Sequence, residues 1–294
     1  MDPANRRSLP LRGARFLRFR AGLVLDSVRQ SAGRRTVNMT PNEGIRVGNF
    51  LYFWLWGHVH QTEAVEHRVL RTPAMSSWLK VFPRIEPLLI EPQEVRFMDA
   101  RRLDWFQVFS DYGGPALVDF VNSRLLRSHL PIVTNVGDEV VTLNVRRGDY
   151  YSDPRHRAAY GLDIRAYVRA ALNGSREQLP IERVDVVSDD PEWCQQQMPF
   201  LAEYGETTFQ RSGHDPVANL AQLASSRRLV LANSTFSYWG GYISNAVHGD
   251  NHELVWAPDF HRRGLIDGTA FQLDPRWSVV NNAETMGERD PSRW

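Results

Sequence analysis

The sequence predicts an α/β protein whose C-terminal half is wound around a parallel, doubly wound sheet. Two observations carry this expectation. From Val140 onward, short β-branched runs alternate with helical stretches. Two of those helical stretches open on Asp-Pro, at Asp190-Pro191 and Asp215-Pro216, which is a cap followed by proline in the first turn.

The elements follow in order. Thr36–Met39 reads as a short strand, followed by a loop with Pro41, Asn42, Gly44 and Gly48 and a helix from Asn49 to about Val65. The stretch from Pro73 to Pro92 is broken by prolines and reads as irregular with short strands. Helical spacing returns from Gly113 to about Ser128. Strands are expected at Val140–Arg146, Arg183–Ser188, Thr207–Gln210, Leu229–Ala232 and Glu253–Trp256. Helices are expected at Asp163–Ala171, from Asp190 to about Met198, from Asp215 to about Ser225, and at Ser234–Val247. The expected division is an extension over 1–35, an N-terminal α/β domain over 36–137, and a C-terminal domain over 138–294.

Composition narrows the function. The 294 residues are 42% hydrophobic and 23% charged, enough apolar material for a packed core. A net charge of +1 argues against nucleic acid as a general partner. Cys194 is the single cysteine, so an intrachain disulfide and a cysteine-type zinc site are excluded and a cytoplasmic location is expected. The apolar run Phe50–Trp56 ends at Gly57 and His58, well short of a membrane span.

The first 35 residues are different. Arg6, Arg7, Arg12, Arg15, Arg18, Arg20, Arg29, Arg34 and Arg35 face only Asp2 and Asp26 as acids. Phe16, Phe19, Leu23 and Val24 share one helical face. A basic amphipathic segment touching the inner face of an anionic membrane and a solvated extension both fit this pattern. The sequence leaves the oligomeric state open.

In a doubly wound sheet, ligands sit beyond the carboxyl ends of the strands. That rule selects three loops. The first is Asn144-Val-Arg-Arg-Gly-Asp-Tyr150. Two arginines leaving a buried strand point to opposite sides, so one can face a site while the other braces the sheet. Their forked donors suit phosphate oxygens, and Gly148 permits a sharp turn. An ion pair with Asp149 that only shapes the loop is the structural alternative.

The second loop is Val187-Ser-Asp-Asp-Pro-Glu-Trp193. Its two acids could hold a ribose or the edge of a base, and Asp189 is the better candidate because Asp190 caps the following helix whatever else it does. No further Asp or His spacing completes a metal shell around these acids. The third loop, Asn233-Ser-Thr-Phe236, starts a helix after a buried strand, where backbone N–H groups and the helix dipole favour an anion. Simple capping by Asn233 or Ser234 is the structural alternative. Gly44, Gly48 and Asn49 form a weaker glycine-bearing loop near the cleft.

At these residues the chain resembles the alpha-1,2-fucosyltransferase family. Asn144–Tyr150 matches that family's His-x-Arg-Arg-Gly-Asp-Tyr motif except at Asn144, and Val187-Ser-Asp-Asp190 with Trp193 matches its Phe-Ser-Asp-Asp segment. Asn233–Gly240 corresponds to its Asn-Ser-Thr-Phe-Ser-Trp-Trp-Gly segment, and Arg46–Phe50 partly echoes its Gly-Leu-Gly-Asn-Gln stretch, with Phe50 in place of Gln.

The resemblance implies a GT-B-like pair of Rossmann-like domains facing a cleft. It implies GDP-fucose as donor substrate, a glycan acceptor, inversion at the anomeric carbon and no required metal or other cofactor. Arg146 and Arg147 are then expected at the pyrophosphate, with Arg147 first. Asn233, Ser234 and Thr235 are expected at the phosphates, Asp189 at the guanosine, Ser188 and Phe236 among the other donor-binding residues, and Asp149 as the base. Another GDP-sugar, a protein- or lipid-linked acceptor, and a non-catalytic nucleotide-binding protein are the alternatives.

Overall fold

The computed structural model describes residues 35–41, 44–210, 215–264 and 268–281. The expectations for residues 1–34 lie outside the described residues, as does Asn42.

Two parallel sheets make up the frame. The first contains β1 (Arg35–Asn38), β2 (Glu66–Leu70), β3 (Leu89–Ile90) and β4 (Ala100–Arg102), in the order β3-β2-β1-β4. The second contains β5 (Val140–Val145), β6 (Arg183–Ser188), β7 (Glu206–Phe209), β8 (Arg228–Val230), β9 (Val255–Pro258) and β10 (Ser278–Val280). Its order is β10-β9-β8-β5-β6-β7, with every pairing parallel. The chain therefore starts in the middle, winds outward through β6 and β7, then crosses back to β8 and winds the other way. Every residue of β5 is buried, as expected for a strand covered on both faces.

The helices are α1 (Val47–Val59), α2 (Ser76–Val81), α3 (Phe109–Phe120), α4 (Gly148–Ser152) and α5 (Pro154–Tyr160), then α6 (Ile164–Gln178), α7 (Pro191–Gln197), α8 (Pro216–Ser225) and α9 (Thr235–His248). Their starts follow the sequence. Asp163 accepts from the Ala166 amide at 3.0 Å, Asp190 from Trp193 at 3.2 Å, and Asp215 from Val217 at 2.9 Å.

Helix α1 departs from expectation at both ends. It begins at Val47, so Gly48 lies in its first turn rather than in a loop. It stops at Val59, because the Gln61 side chain turns back to the Gly57 carbonyl and the Val65 amide is taken by the Thr62 hydroxyl. That turn lets the chain re-enter the sheet as β2. Helix α3 continues through one π-helical turn, Val121–Leu125.

Helix α1 is apolar nearly all round, and a helix of that kind belongs inside. Phe50 through Trp56 are all buried, packed in one core with Trp239, Tyr242 and Ile243 of α9, Leu220 and Leu223 of α8, and Phe120 of α3. This core joins both sheets. A second core, built from Val141, Leu143 and Val145 of β5 with Tyr167 and Leu172 of α6, fills the opposite face of the larger sheet.

Candidate functional site

Strand β5 lies between β8 and β6, and the chain leaves it in opposite directions on its two sides. A doubly wound sheet opens a crevice at such a switch point. The loops after β5 and β8 flank it, and they are the first and third loops selected from the sequence. The cavity there has a volume of about 660 Å³, and both halves of the chain line it. That lies within the usual range for small-molecule sites.

Arg146 is the arginine that faces the cavity. Its guanidinium reaches Asp189 at 2.5 Å and Asp149 at 2.5 Å. Asp189 also accepts the Arg147 backbone amide at 2.7 Å. Gly148 makes this approach possible: a Cβ there would stand 2.5 Å from Asp189 Oδ2, and its φ is +21°. Asp189 lines the cavity, but its two oxygens are occupied in holding the arginine loop. Each oxygen keeps a further lone pair toward the cavity side of the loop.

Arg147, expected first at the pyrophosphate, does not line the cavity. Its guanidinium lies 4.0 Å from the Trp193 ring centre and 4.4 Å from that of Tyr151, with Nε 3.2 Å from Asp190 Oδ2. Adjacent residues leave the strand on opposite sides, and the aromatic and acidic cage on the α7 side takes Arg147.

Ser234, Thr235 and Phe236 line the cavity at the start of α9. Ser234 is the N-cap but makes no capping bond with its side chain, and the first turn carries no acid. The first-turn amides therefore have no capping side chain. Tyr150 also lines the cavity, and desolvation pushes its hydroxyl pKa up. The Asn233 amide donates to the Tyr160 carbonyl at 2.8 Å and the His261 carbonyl at 3.2 Å, outside the cavity lining.

Asn144 ties the elements together. Its amide donates to the Val187 carbonyl at 3.0 Å and its oxygen accepts from the Ser237 hydroxyl, so β5, β6 and α9 are joined at one side chain. Ser188 lines the cavity, and its hydroxyl accepts the Asp190 amide at 3.0 Å.

The opposite wall comes from the β1–α1 connection. A Cβ on Gly48 would stand 2.5 Å from Thr235 Oγ1 and 2.6 Å from the Phe236 amide nitrogen, so two helix starts meet at the cavity. Arg46, beside Gly48, lies 3.5 Å from Asp149 Oδ2 across the opening. Gly44, with φ +72°, and Asn49 also line the wall, and Asn49 Oδ1 accepts from Gln107 at 2.8 Å. Phe50 is buried and stacks on Trp54.

Arg46 and Arg146 are balanced by Asp149 and Asp189, so these four side chains carry no surplus charge. The guanidinium donors remain available to an anion, and the two helix starts, each equivalent to roughly half a positive charge, add the surplus positive potential. Sequence reasoning missed Arg46 as a site residue, and also Trp78, His156, Tyr160 and Asn219 of the lining. Arg46 opens the Arg46–Phe50 stretch, and the others are single residues outside any recognisable pattern.

Among the described residues, no group of three or more His, Cys, Asp or Glu side chains could hold a metal ion, and no helix is long and apolar enough to cross a membrane. Burial pushes the Cys194 thiol up to about 12.

The model of glycosyl transferase family 11 matches residues 117–249. An alpha-1,2-colitosyltransferase from Escherichia coli is 26% identical over 105 residues, 36% of this chain and 36% of that protein. Galactoside alpha-(1,2)-fucosyltransferase 1 from Oryctolagus cuniculus is 27% identical over 145 residues, 48% of this chain and 37% of that protein. The matches thus span little more than a third of these relatives' length. Among solved structures, POFUT1 in complex with GDP aligns at 14% identity and a TM-score of 0.32, covering 74% of this chain and 72% of that one. Residues 117–249, which carry all three loops, match the model of glycosyl transferase family 11, and part of the chain is similar to an alpha-1,2-fucosyltransferase and an alpha-1,2-colitosyltransferase.

Proposed function

We propose that the chain is an inverting, metal-independent glycosyltransferase that moves fucose from GDP-fucose to a hydroxyl of a glycan acceptor, in alpha-1,2 linkage. The observation that carries this reading is that Arg146 and the start of α9 face one cavity. The similarity to a fucosyltransferase and a colitosyltransferase supports the sugar class, with a colitosyl donor as the second candidate.

In the reaction, an acceptor oxygen attacks C1 from the face opposite the diphosphate. The bond from C1 to the β-phosphate oxygen breaks, and its electron pair stays on GDP. Arg146 and the first amides of α9 are placed to receive that charge, which the site holds in a fixed geometry before the donor arrives. Of the two acids paired with Arg146 on the cavity wall, Asp149 is assigned to take the acceptor's proton. The Arg46 and Arg146 guanidiniums supply the cationic partners that a metal would otherwise provide.

Incubation with GDP-fucose and a galactoside tests the reading through release of GDP and a change in product mass. A chain that neither binds GDP-fucose nor releases GDP from it is not this enzyme.

A further inference from the structure

Asn219 lies one turn into α8, on the cavity wall with Pro216 and Ser188. It is 8% exposed, and its side-chain oxygen is buried without a donor. Of the polar side chains at the ends of β5, β6 and β8, Asn144, Ser188, Asn233 and Ser237 have partners, and Arg147 Nη1, which has none, points away from the cavity lining. The helix does not require an amide at this position. Asp215 caps it, and Leu220, Leu223 and Ala224 bury its packing face. A buried carbonyl without a donor is unfavourable, so a ligand that supplies one is a natural complement.

The sheet order suggests which part of a ligand arrives there. From the β8–β5 crevice, the strands continue through β6 to β7, and α8 follows β7. Neighbouring strands are about 4.8 Å apart, so β7 lies roughly 10 Å from β5. A nucleoside diphosphate is laid out in the same sequence: phosphates, ribose, base. With phosphates at Arg146 and Ser234, and ribose beside Ser188, the base falls toward α8.

We propose that Asn219 reads the edge of the purine base, its oxygen accepting from the ring N1–H of guanine and its amide nitrogen donating to O6. An amide offers that acceptor and donor side by side. The inference rests on the GDP-sugar reading above.

Titration calorimetry on the full chain, with GDP, inosine diphosphate and inorganic pyrophosphate as probes, tests it. Asn219→Ala is expected to weaken GDP about tenfold, equivalent to about 1.4 kcal/mol, and to leave pyrophosphate unchanged. Asn219→Asp keeps the shape but offers only acceptors, which suit guanine N1–H and its 2-amino group. It is expected to raise the preference for GDP over inosine diphosphate, which lacks that amino group. If the unaltered chain binds neither GDP nor pyrophosphate, the donor reading itself fails. If it binds both and Asn219→Ala binds GDP equally well, or loses both probes alike, only the assignment of Asn219 is overturned.

Discussion

Arg146 and Asp189 lie 2.5 Å apart, while Arg147, the next residue, is bound by its side chain to Asp190 at 3.2 Å. Two adjacent arginines thus meet two adjacent aspartates, and only the first pair borders the cavity. Arg146→Ala is expected to lower kcat/KM by about 100- to 1,000-fold, the loss typical of one donor to a developing negative charge. Arg147→Ala is expected instead to lower stability by about 1–2 kcal/mol, through loss of its stack on Trp193 and Tyr151. Steady-state kinetics and denaturant melts of the two variants check this. Equal catalytic losses with unchanged stability would reverse the assignment.

Gly48→Ala is expected to disturb the junction of the two helix starts, since its Cβ would meet the Phe236 amide nitrogen at 2.6 Å. The neighbour is backbone and cannot swing away. Such overpacking costs about 1–3 kcal/mol, and GDP affinity should fall with it. A calorimetric titration beside a melting curve measures both. Gly44→Ala, with nothing within 4 Å of its Cβ, is strained only by φ +72° and is expected to spare GDP affinity.

Asp149→Asn keeps a carbonyl oxygen for Arg146 but loses the capacity to take a proton. Turnover is expected to fall by about 100-fold or more, within the range for general-base loss, while GDP affinity changes less than about tenfold. Full turnover would show that Asp149 only holds the two arginines.

His261 gives a pH dependence. Burial holds its pKa down at about 4, below the ordinary 6.5, and its ring nitrogen contacts the Tyr238 hydroxyl at 3.2 Å. The unfolded chain takes up this proton more readily than the folded one. Its contribution to stability is therefore fully present above pH 6.5 and is lost as the pH falls toward 4, on the order of 3 kcal/mol in total. Melting temperatures of the chain and of His261→Gln over that interval should converge as the pH falls. Parallel curves would remove the histidine as the cause.

Most of the larger sheet was legible because β5 is a continuous buried run and its helices carry explicit start signals at Asp163, Asp190 and Asp215, whereas the three-residue edge strand β10 was not expected. The smaller sheet was harder to read. Strands β3 and β4 have two and three residues, too few to show a period. The three site loops were legible as sequence patterns, but the choice between Arg146 and Arg147 depends on which side Trp193 occupies. Asn233 looked like a cap because its alternatives, the Tyr160 and His261 carbonyls, are 73 and 28 residues away. Asn219 belongs to no pattern, Arg46 stands only at the edge of the weak Arg46–Phe50 stretch, and the folded chain brings both to the cavity.

The apolar seam between α1 and α9 has a mechanical consequence. Trp54, Trp56, Trp239 and Tyr242 are almost wholly excluded from solvent within it. Swinging the two layers apart like a clamshell would expose these rings to water. Reactants should instead come and go by small excursions of the rim loops, and heating should melt the whole body in one step.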